Sequence, residues 1–363
     1  MNKLVCFHLF NDFSGSPKVL RMVLGELLGS GEWSVEIVTS KGEGALSDLD
    51  GRKGVRMHRY AYRFSENGAV TMLRYSWVQV YLFVMAFRYL FSRRTVFYIN
   101  TILPVGAALA GRIMGKKVVY HYHENASAKG AFYGMLARLM QVLATDIVCV
   151  SEYQRSFLKR QKQVSVVPNA VPAAFVEQLT PDAKAAFERK RVLMLGSLKR
   201  YKGTLEFVAL AEKLSHFQFE LVLNETPENI DLFWKECGMT KPKNLTVYPR
   251  QNSVASFYNR ASIVLNLTDK RLAIETFGLT ALEAMSAGLP VIVPTVGGIA
   301  EMVEYGVNGY KLDITALDDI AARITEMLTD RSLYLRLSAG ALSVASRYDS
   351  KKMVEEIGKI ISD

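Results

Sequence analysis

Short apolar runs alternate with longer amphipathic stretches along most of the chain. In the first half, residues 4–10, 35–39, 96–100, 118–122 and 147–151 are rich in Val, Ile, Leu, Phe and Tyr. Between them, residues 17–29, 104–114 and 130–144 carry apolar positions at helical spacing. The alternation resumes at residues 191–195, 220–223, 245–248, 263–267 and 290–293. Runs that are apolar throughout, rather than at every second position, fit parallel strands covered by helices on both faces. Two such series predict an α/β protein of two doubly wound domains. In that architecture ligands bind at the carboxyl ends of the strands, here in a central cleft that the two domains face. The run Val167-Pro168-Asn169-Ala170-Val171-Pro172 stops any regular element and marks the boundary. The expected division is residues 1–170, residues 171–345, and a closing helical segment 346–363 that returns to the first domain.

At 363 residues and 50% hydrophobic, the chain holds enough apolar material for two cores. The first apolar run follows Met1-Asn2-Lys3 directly and is bounded by Asn11 and Asp12, which fits a buried strand better than a secretory leader. The three cysteines are unpatterned, as expected of small core residues in a reducing compartment, and no metal-ligand spacing stands out. The expected location is the cytoplasm, with peripheral attachment to the inner face of the membrane as a variant.

The net charge of +10 is carried by the first half. Residues 1–170 hold 22 Lys/Arg against 11 Asp/Glu, and residues 171–363 hold 23 against 24. Arg52, Lys53, Arg56, Arg59 and Arg63 form the densest cluster, followed by an apolar, aromatic stretch from Trp77 to residue 91. At about fifteen residues that stretch falls short of the roughly 20 a membrane span needs. A basic face beside aromatic residues fits an anionic membrane surface; the stretch itself equally fits a core helix. No nucleic-acid recognition motif accompanies the charge, so nucleic acid is not an expected partner.

Candidate chemistry concentrates in the second half. Glu275-Thr276-Phe277-Gly278-Leu279-Thr280 leads into a helical stretch that carries Glu283. The N–H groups at a helix N-terminus form a ready anion site, and the two carboxylates flank it as acceptors for hydroxyl groups. Sugar hydroxyls, two phosphates and ribose hydroxyls in line describe a nucleotide sugar. A second phosphate-binding candidate is Gly196-Ser197-Leu198-Lys199-Arg200-Tyr201-Lys202-Gly203, a glycine turn with three cations between a strand and a helix. Lys270 and Arg271 fit either an anionic ligand or a solvated loop tip. Asp48-Leu49-Asp50 has the D-x-D form but sits between glycines and reads as surface.

These motifs, in this order, resemble the retaining family-4 glycosyltransferases of the GT-B fold. The match covers nearly the whole chain and is strongest over residues 276–309. The resemblance implies transfer of a sugar from a nucleotide diphosphate sugar to an acceptor hydroxyl, with retention at the anomeric carbon, no cofactor and no metal. It implies Glu275 on the donor-sugar hydroxyls, Glu283 on the ribose, and Phe277, Gly278, Leu279 and Thr280 around the sugar and phosphates. Lys202 matches the diphosphate-binding lysine, with Gly196, Ser197, Lys199 and Arg200 beside it. An arginine is common in the family where this chain has Ser197, so the clamp is expected to rest on Lys202 and its neighbours. In the first half, Gly15 matches the family's glycine loop, with one glycine where two are common. His123 matches the histidine near the donor sugar; Glu124 follows it, and His121 lies on the same strand face.

The expected acceptor is a glycan or lipid-linked glycan of bacterial surface-polysaccharide synthesis, such as lipopolysaccharide, O-antigen or capsule. Arg52, Lys53, Arg56, Arg59, Arg63, Trp77 and Glu124 are candidates for the acceptor or membrane side. A nucleotide-sugar 2-epimerase of the same fold and a non-catalytic, membrane-associated nucleotide-sugar-binding protein are the alternatives. A dinucleotide oxidoreductase would need G-x-G-x-x-G after the first strand, and Phe13-Ser14-Gly15-Ser16-Pro17 lacks it.

Overall fold

The computed structural model describes residues 2–126, 130–159, 163–238 and 240–362. It divides into two compact units, residues 1–169 with 351–363, and residues 170–350.

The first unit is built on a seven-stranded parallel sheet. Its strands are β1 (Asn2–His8), β2 (Trp33–Ser40), β3 (Val55–Tyr60), β4 (Thr95–Asn100), β5 (Lys117–Tyr122), β6 (Asp146–Cys149) and β7 (Val164–Val166), in the order β3-β2-β1-β4-β5-β6-β7. The run that opens the chain is thus an inner strand. Leu4, Val5, Cys6 and Phe7 expose no surface although they point alternately to the two faces, because helices cover both. The second unit repeats the winding with β8 (Arg191–Gly196), β9 (Gln218–Leu223), β10 (Leu245–Tyr248), β11 (Ile263–Leu265), β12 (Val291–Val293) and β13 (Gly309–Lys311), in the order β10-β9-β8-β11-β12-β13. Each sheet is wound outward from its first strand in both directions. The direction of winding therefore reverses between β1 and β4, and again between β8 and β11, and such switch points open a crevice at the strand ends.

Three strands were not expected. β7 (Val-Ser-Val) and β13 (Gly-Tyr-Lys) are three residues long and, unlike the equally short β11 and β12, are not continuously apolar. β3 carries Arg56 and Arg59 on opposite faces, so Val-Arg-Met-His-Arg-Tyr shows neither a continuous apolar run nor a strict alternation. It is the edge of the sheet, and an edge strand is protected from unwanted pairing by exposed charge.

The helices α1 (Gly15–Gly29), α2 (Gly68–Ala86), α3 (Val105–Ile113) and α4 (Ala131–Leu143) belong to the first unit. The apolar stretch around Trp77 is longer than the fifteen residues expected. Asn67 caps α2 by accepting from the N–H groups of Ala69 and Val70, and the helix continues through a 3-10 turn to Tyr89. These 22 residues are long and apolar enough, by length and composition, to cross a membrane. One face carries Tyr75, Val78, Leu82 and Ala86 into the core, while Leu73, Trp77, Val80 and Val84 stay exposed. α3 packs against α2. A Cβ at Gly106 would lie 2.0 Å from the Gln79 carbonyl oxygen, and the Gln79 side chain accepts from Gly106 N–H at 3.0 Å. The glutamine that interrupts the apolar stretch is therefore a helix–helix tie. The helix Ser350–Ser362 buries Met353, Val354, Ile357 and Ile361, with Gly358 beside Leu27 of α1.

Candidate functional site

The winding of the second sheet explains why two distant parts of the sequence meet. β8 and β11 are neighbours, so the loops leaving their carboxyl ends lie side by side. The first loop carries Lys202 and the second Glu275, and Lys202 Nζ donates to Glu275 Oε1 at 2.5 Å. Thr268 Oγ1 donates to the same oxygen at 3.0 Å, and the Asn266 side chain also hydrogen-bonds the carboxylate. Both partners are mostly covered, which works against either charge. The lysine and the two polar side chains nonetheless hold Glu275 below the usual carboxylate range, and Glu275 in turn raises Lys202.

Three glycines shape this site. Gly203 has φ 75°, and a Cβ there would come within 2.4 Å of the Leu267 carbonyl oxygen. Gly278, with φ 93°, opens the helix Leu279–Ser286 and packs on Ile299. Gly297, with φ 110°, would place a Cβ 2.4 Å from the Glu275 carbonyl oxygen, which also accepts from Gly298 N–H at 2.9 Å. Only glycine combines this backbone with such close approach, so the Gly297-Gly298 turn clamps the backbone of Glu275. Leu279 and Thr280 lie in the first helical turn, where N–H groups have no acceptor within the helix. Glu283, further along, accepts from Tyr258 Oη at 2.6 Å. The Phe277 ring is turned inward against Tyr348, so this residue offers the site its backbone.

The remaining cations have specific partners. Arg200 pairs with Glu206 at 2.8 Å, and Lys199 lies near the Tyr201 ring. Gly196 ends β8, and the Ser197 carbonyl accepts from Thr204 Oγ1 at 3.3 Å. Lys270 and Arg271 are not a bare loop tip: Lys270 bonds Thr295 and Asp313, and Arg271 grips Asp269 through two nitrogens.

In the first unit the corresponding switch point gathers imidazoles. His8 ends β1, Asn100 ends β4, and His121 and His123 lie at the end of β5. Asn100, fully buried, bonds His8 Nδ1 and His123 Nε2, each at 3.0 Å. His121 Nδ1 meets Tyr98 Oη at 2.6 Å, and its ring lies 4.1 Å from that of His123. Burial pushes His8 down to about 4 and His121 to about 3, and it lowers His123 together with the other two rings, so all three are uncharged at neutral pH. Gly15 starts α1 behind Ser14, whose N–H and hydroxyl bond Asp12.

A family model described as "Glycosyltransferase Family 4" matches residues 14–175, and one described as "Glycosyl transferases group 1" matches residues 177–343. The chain belongs to the family-4 glycosyltransferases. An N-acetyl-alpha-D-glucosaminyl L-malate synthase of Bacillus anthracis is 32% identical over 189 residues, covering 51% of this chain and 49% of that protein. The chain spans about half the length of the curated relatives it matches first. Anabaena Alr3699/HepE in complex with UDP-glucose superposes with a TM-score of 0.79 at 16% identity, and WaaG, a glycosyltransferase involved in lipopolysaccharide biosynthesis, with 0.71 at 18%. The first match covers 100% of both chains and the second 99% of both. These likenesses establish the two-domain GT-B fold.

Other expectations for this family-4 chain are redistributed by the structure. Arg52 bonds Asp48, and Arg59 pairs with Asp50 at 2.9 Å, so the basic cluster is partly neutralised by the D-x-D segment. Lys53, Arg56 and Arg63 are exposed. Glu124 is buried, and its carboxylate accepts from Ile102 N–H at 3.2 Å, which makes it a loop anchor rather than a surface group. Trp77 is 72% exposed on α2. Sequence reasoning missed Thr268, Asn266, Tyr258, His8 and Asn100. Thr268 and Asn266 reach Glu275 within one loop, Tyr258 reaches Glu283 from the helix Ala255–Arg260, and His8 and Asn100 meet through strand adjacency; the one available signal was that Asn100 and Asn266 stand at or near the end of an apolar run.

Proposed function

We propose that this chain transfers a sugar from a nucleotide diphosphate sugar to an acceptor hydroxyl, with retention at the anomeric carbon and without a metal. The Lys202–Glu275 pair at the second unit's switch point carries the reading. Lys202 is the cation for the diphosphate and Glu275 the acceptor for the sugar hydroxyls, while the start of the helix Leu279–Ser286 adds N–H groups for the phosphates. Glu283, oriented by Tyr258, takes the ribose. Glu275 is already engaged by Lys202 and Thr268, which suits a binding carboxylate better than a nucleophile. Within a retaining transfer this favours same-face attack over a covalent enzyme intermediate, with the departing phosphate accepting the acceptor's proton. The HepE complexes with UDP and UDP-glucose make uridine diphosphate sugars the first donors to try.

The acceptor in this reading is a glycan or lipid-linked glycan at an anionic membrane surface, as in lipopolysaccharide, O-antigen or capsule synthesis. Residues 67–145 hold nine Lys/Arg and one acid, Glu124, which is buried. α3 packs against both α2 and α4, and their outer faces expose Trp77, Val84, Ile113 and Val142, with Phe91 just beyond α2. Apolar side chains with basic neighbours favour an anionic interface.

A thermal-shift screen against UDP, GDP, ADP and CMP sugars tests the donor: one nucleotide class should raise the melting temperature, and no shift with any would count against the reading. Vesicle sedimentation tests the surface. Retention on anionic but not neutral vesicles is expected, and equally poor binding to both would remove the membrane part alone.

A further inference from the structure

The first unit contains a hydrogen-bond chain whose directions can be assigned from one fixed acceptor. Asn100 lies between β1 and β5, in register with His8 on one side and His121 on the other. Its Nδ2 is 3.3 Å from the Ser16 carbonyl oxygen in the first turn of α1. A carbonyl can only accept, so the NH2 side of the amide must face Ser16. The same nitrogen is 3.0 Å from His8 Nδ1, which must then be an acceptor, leaving the His8 hydrogen on Nε2. The other side of the amide, Oδ1, is itself only an acceptor, and it lies 3.0 Å from His123 Nε2. His123 therefore carries its hydrogen on Nε2, and Nδ1 is the acceptor nitrogen of its ring.

We propose that Asn100 is a positioning residue for His123: it fixes the Nε2–H tautomer and ties the ring to the glycine loop through Ser16. The proposal rests on the reading that His123 serves the donor sugar. A neutral ring held in this tautomer has its Nε2–H committed to Asn100, which leaves the ring only an acceptor role at Nδ1. The amide has no spare orientation, because rotating it would set its oxygen against the Ser16 carbonyl. His121 supports the ring from its stacked position, with its own Nδ1 held by Tyr98.

The test compares wild type with Asn100→Leu and Asn100→Asp, the second of which keeps an oxygen for His123. The full-length chain is labelled with 15N-histidine, and side-chain nitrogen shifts report the tautomer of His123. UDP release from UDP-glucose or UDP-N-acetylglucosamine, whichever wild type turns over, reports kcat and KM. The expected result is a single Nε2–H tautomer in wild type. In Asn100→Leu the tautomer mixes and kcat falls about 10- to 100-fold with KM within about threefold. In Asn100→Asp the oxygen kept for His123 restores its tautomer, while the second oxygen, set against the Ser16 carbonyl and His8 Nδ1, leaves kcat below wild type. An unchanged tautomer in Asn100→Leu overturns the proposal, whatever happens to kcat. Should wild type turn over neither donor, the functional reading is what fails, and the nitrogen shifts alone decide the tautomer assignment.

Discussion

Lys202 and Glu275, 73 residues apart in sequence, form one ion pair at the switch point of the second sheet. In the proposed reading each neutralises the other until a donor arrives, so removing one leaves its partner's charge without a counter-ion in a mostly covered site. Lys202→Ala and Glu275→Ala should each lower kcat/KM by about 100-fold or more. The double variant should lose much less than the product of the two, because the second substitution removes a charge the first had stranded. Steady-state kinetics on the four proteins checks this; multiplicative losses would mean the two residues act separately.

Tyr258 holds Glu283 at 2.6 Å, and the phenol is fully buried. Tyr258→Phe keeps the packing and removes the tether. Nucleoside diphosphate affinity, measured by titration calorimetry, should fall about threefold to tenfold, in line with the net worth of one ordinary hydrogen bond, and kcat should change little. A selective loss of kcat would assign Glu283 to the chemistry instead.

Gly297 and Gly306 both have positive φ, but only Gly297 faces a neighbour within contact distance. Gly306→Ala should cost about 1 kcal/mol, the ordinary penalty for a left-handed alanine. Gly297→Ala should cost at least about 2 kcal/mol and also displace Glu275, lowering activity. Equal melting temperatures for the two variants would remove the clamp argument.

Stability should fall in mild acid. His8 and His121 are held at about 4 and about 3 in the folded chain, against 6.5 when exposed. A depressed histidine favours the folded state only while the unfolded chain is also neutral, so its contribution begins to be lost below about pH 6.5. At pH 5.5 this amounts to roughly 1.4 kcal/mol for each of the two. A second loss follows at lower pH. Burial opposes the charge on Glu36, but Lys3, Tyr89 and His58 hold its carboxylate at about 2, against 4.5 exposed. That stabilisation is lost as pH falls from about 4.5 toward 2. Urea midpoints at pH 7.5, 5.5 and 4 measure both steps, and a flat profile between the first two would contradict the buried histidines.

Much of the sheet architecture was legible because strands covered on both faces leave continuous apolar runs. β1, β8 and β9 were plain for that reason. β3 was not, since an edge strand mixes arginines with apolar residues. The start of α2 was also hidden: Gly68, Ala69 and Thr71 carry little apolar signal, and the Asn67 cap becomes visible only with its hydrogen bonds. Glu275, Glu283 and Lys202 stood out through motif spacing. Thr268 acts within its own loop, Tyr258 between helices and Asn100 between strands, and nothing in their local sequence records which side chain they meet.

The first unit is discontinuous in sequence. Residues 351–363 complete it, yet they are synthesised after the whole of residues 170–350. On the ribosome the second unit can close while the first still lacks the helix that buries Met353, Val354, Ile357 and Ile361. The unit that is translated first is thus the last to be finished. In the interval, a nascent chain exposes the surface that this helix later covers, and a chaperone or a second nascent chain would meet it there.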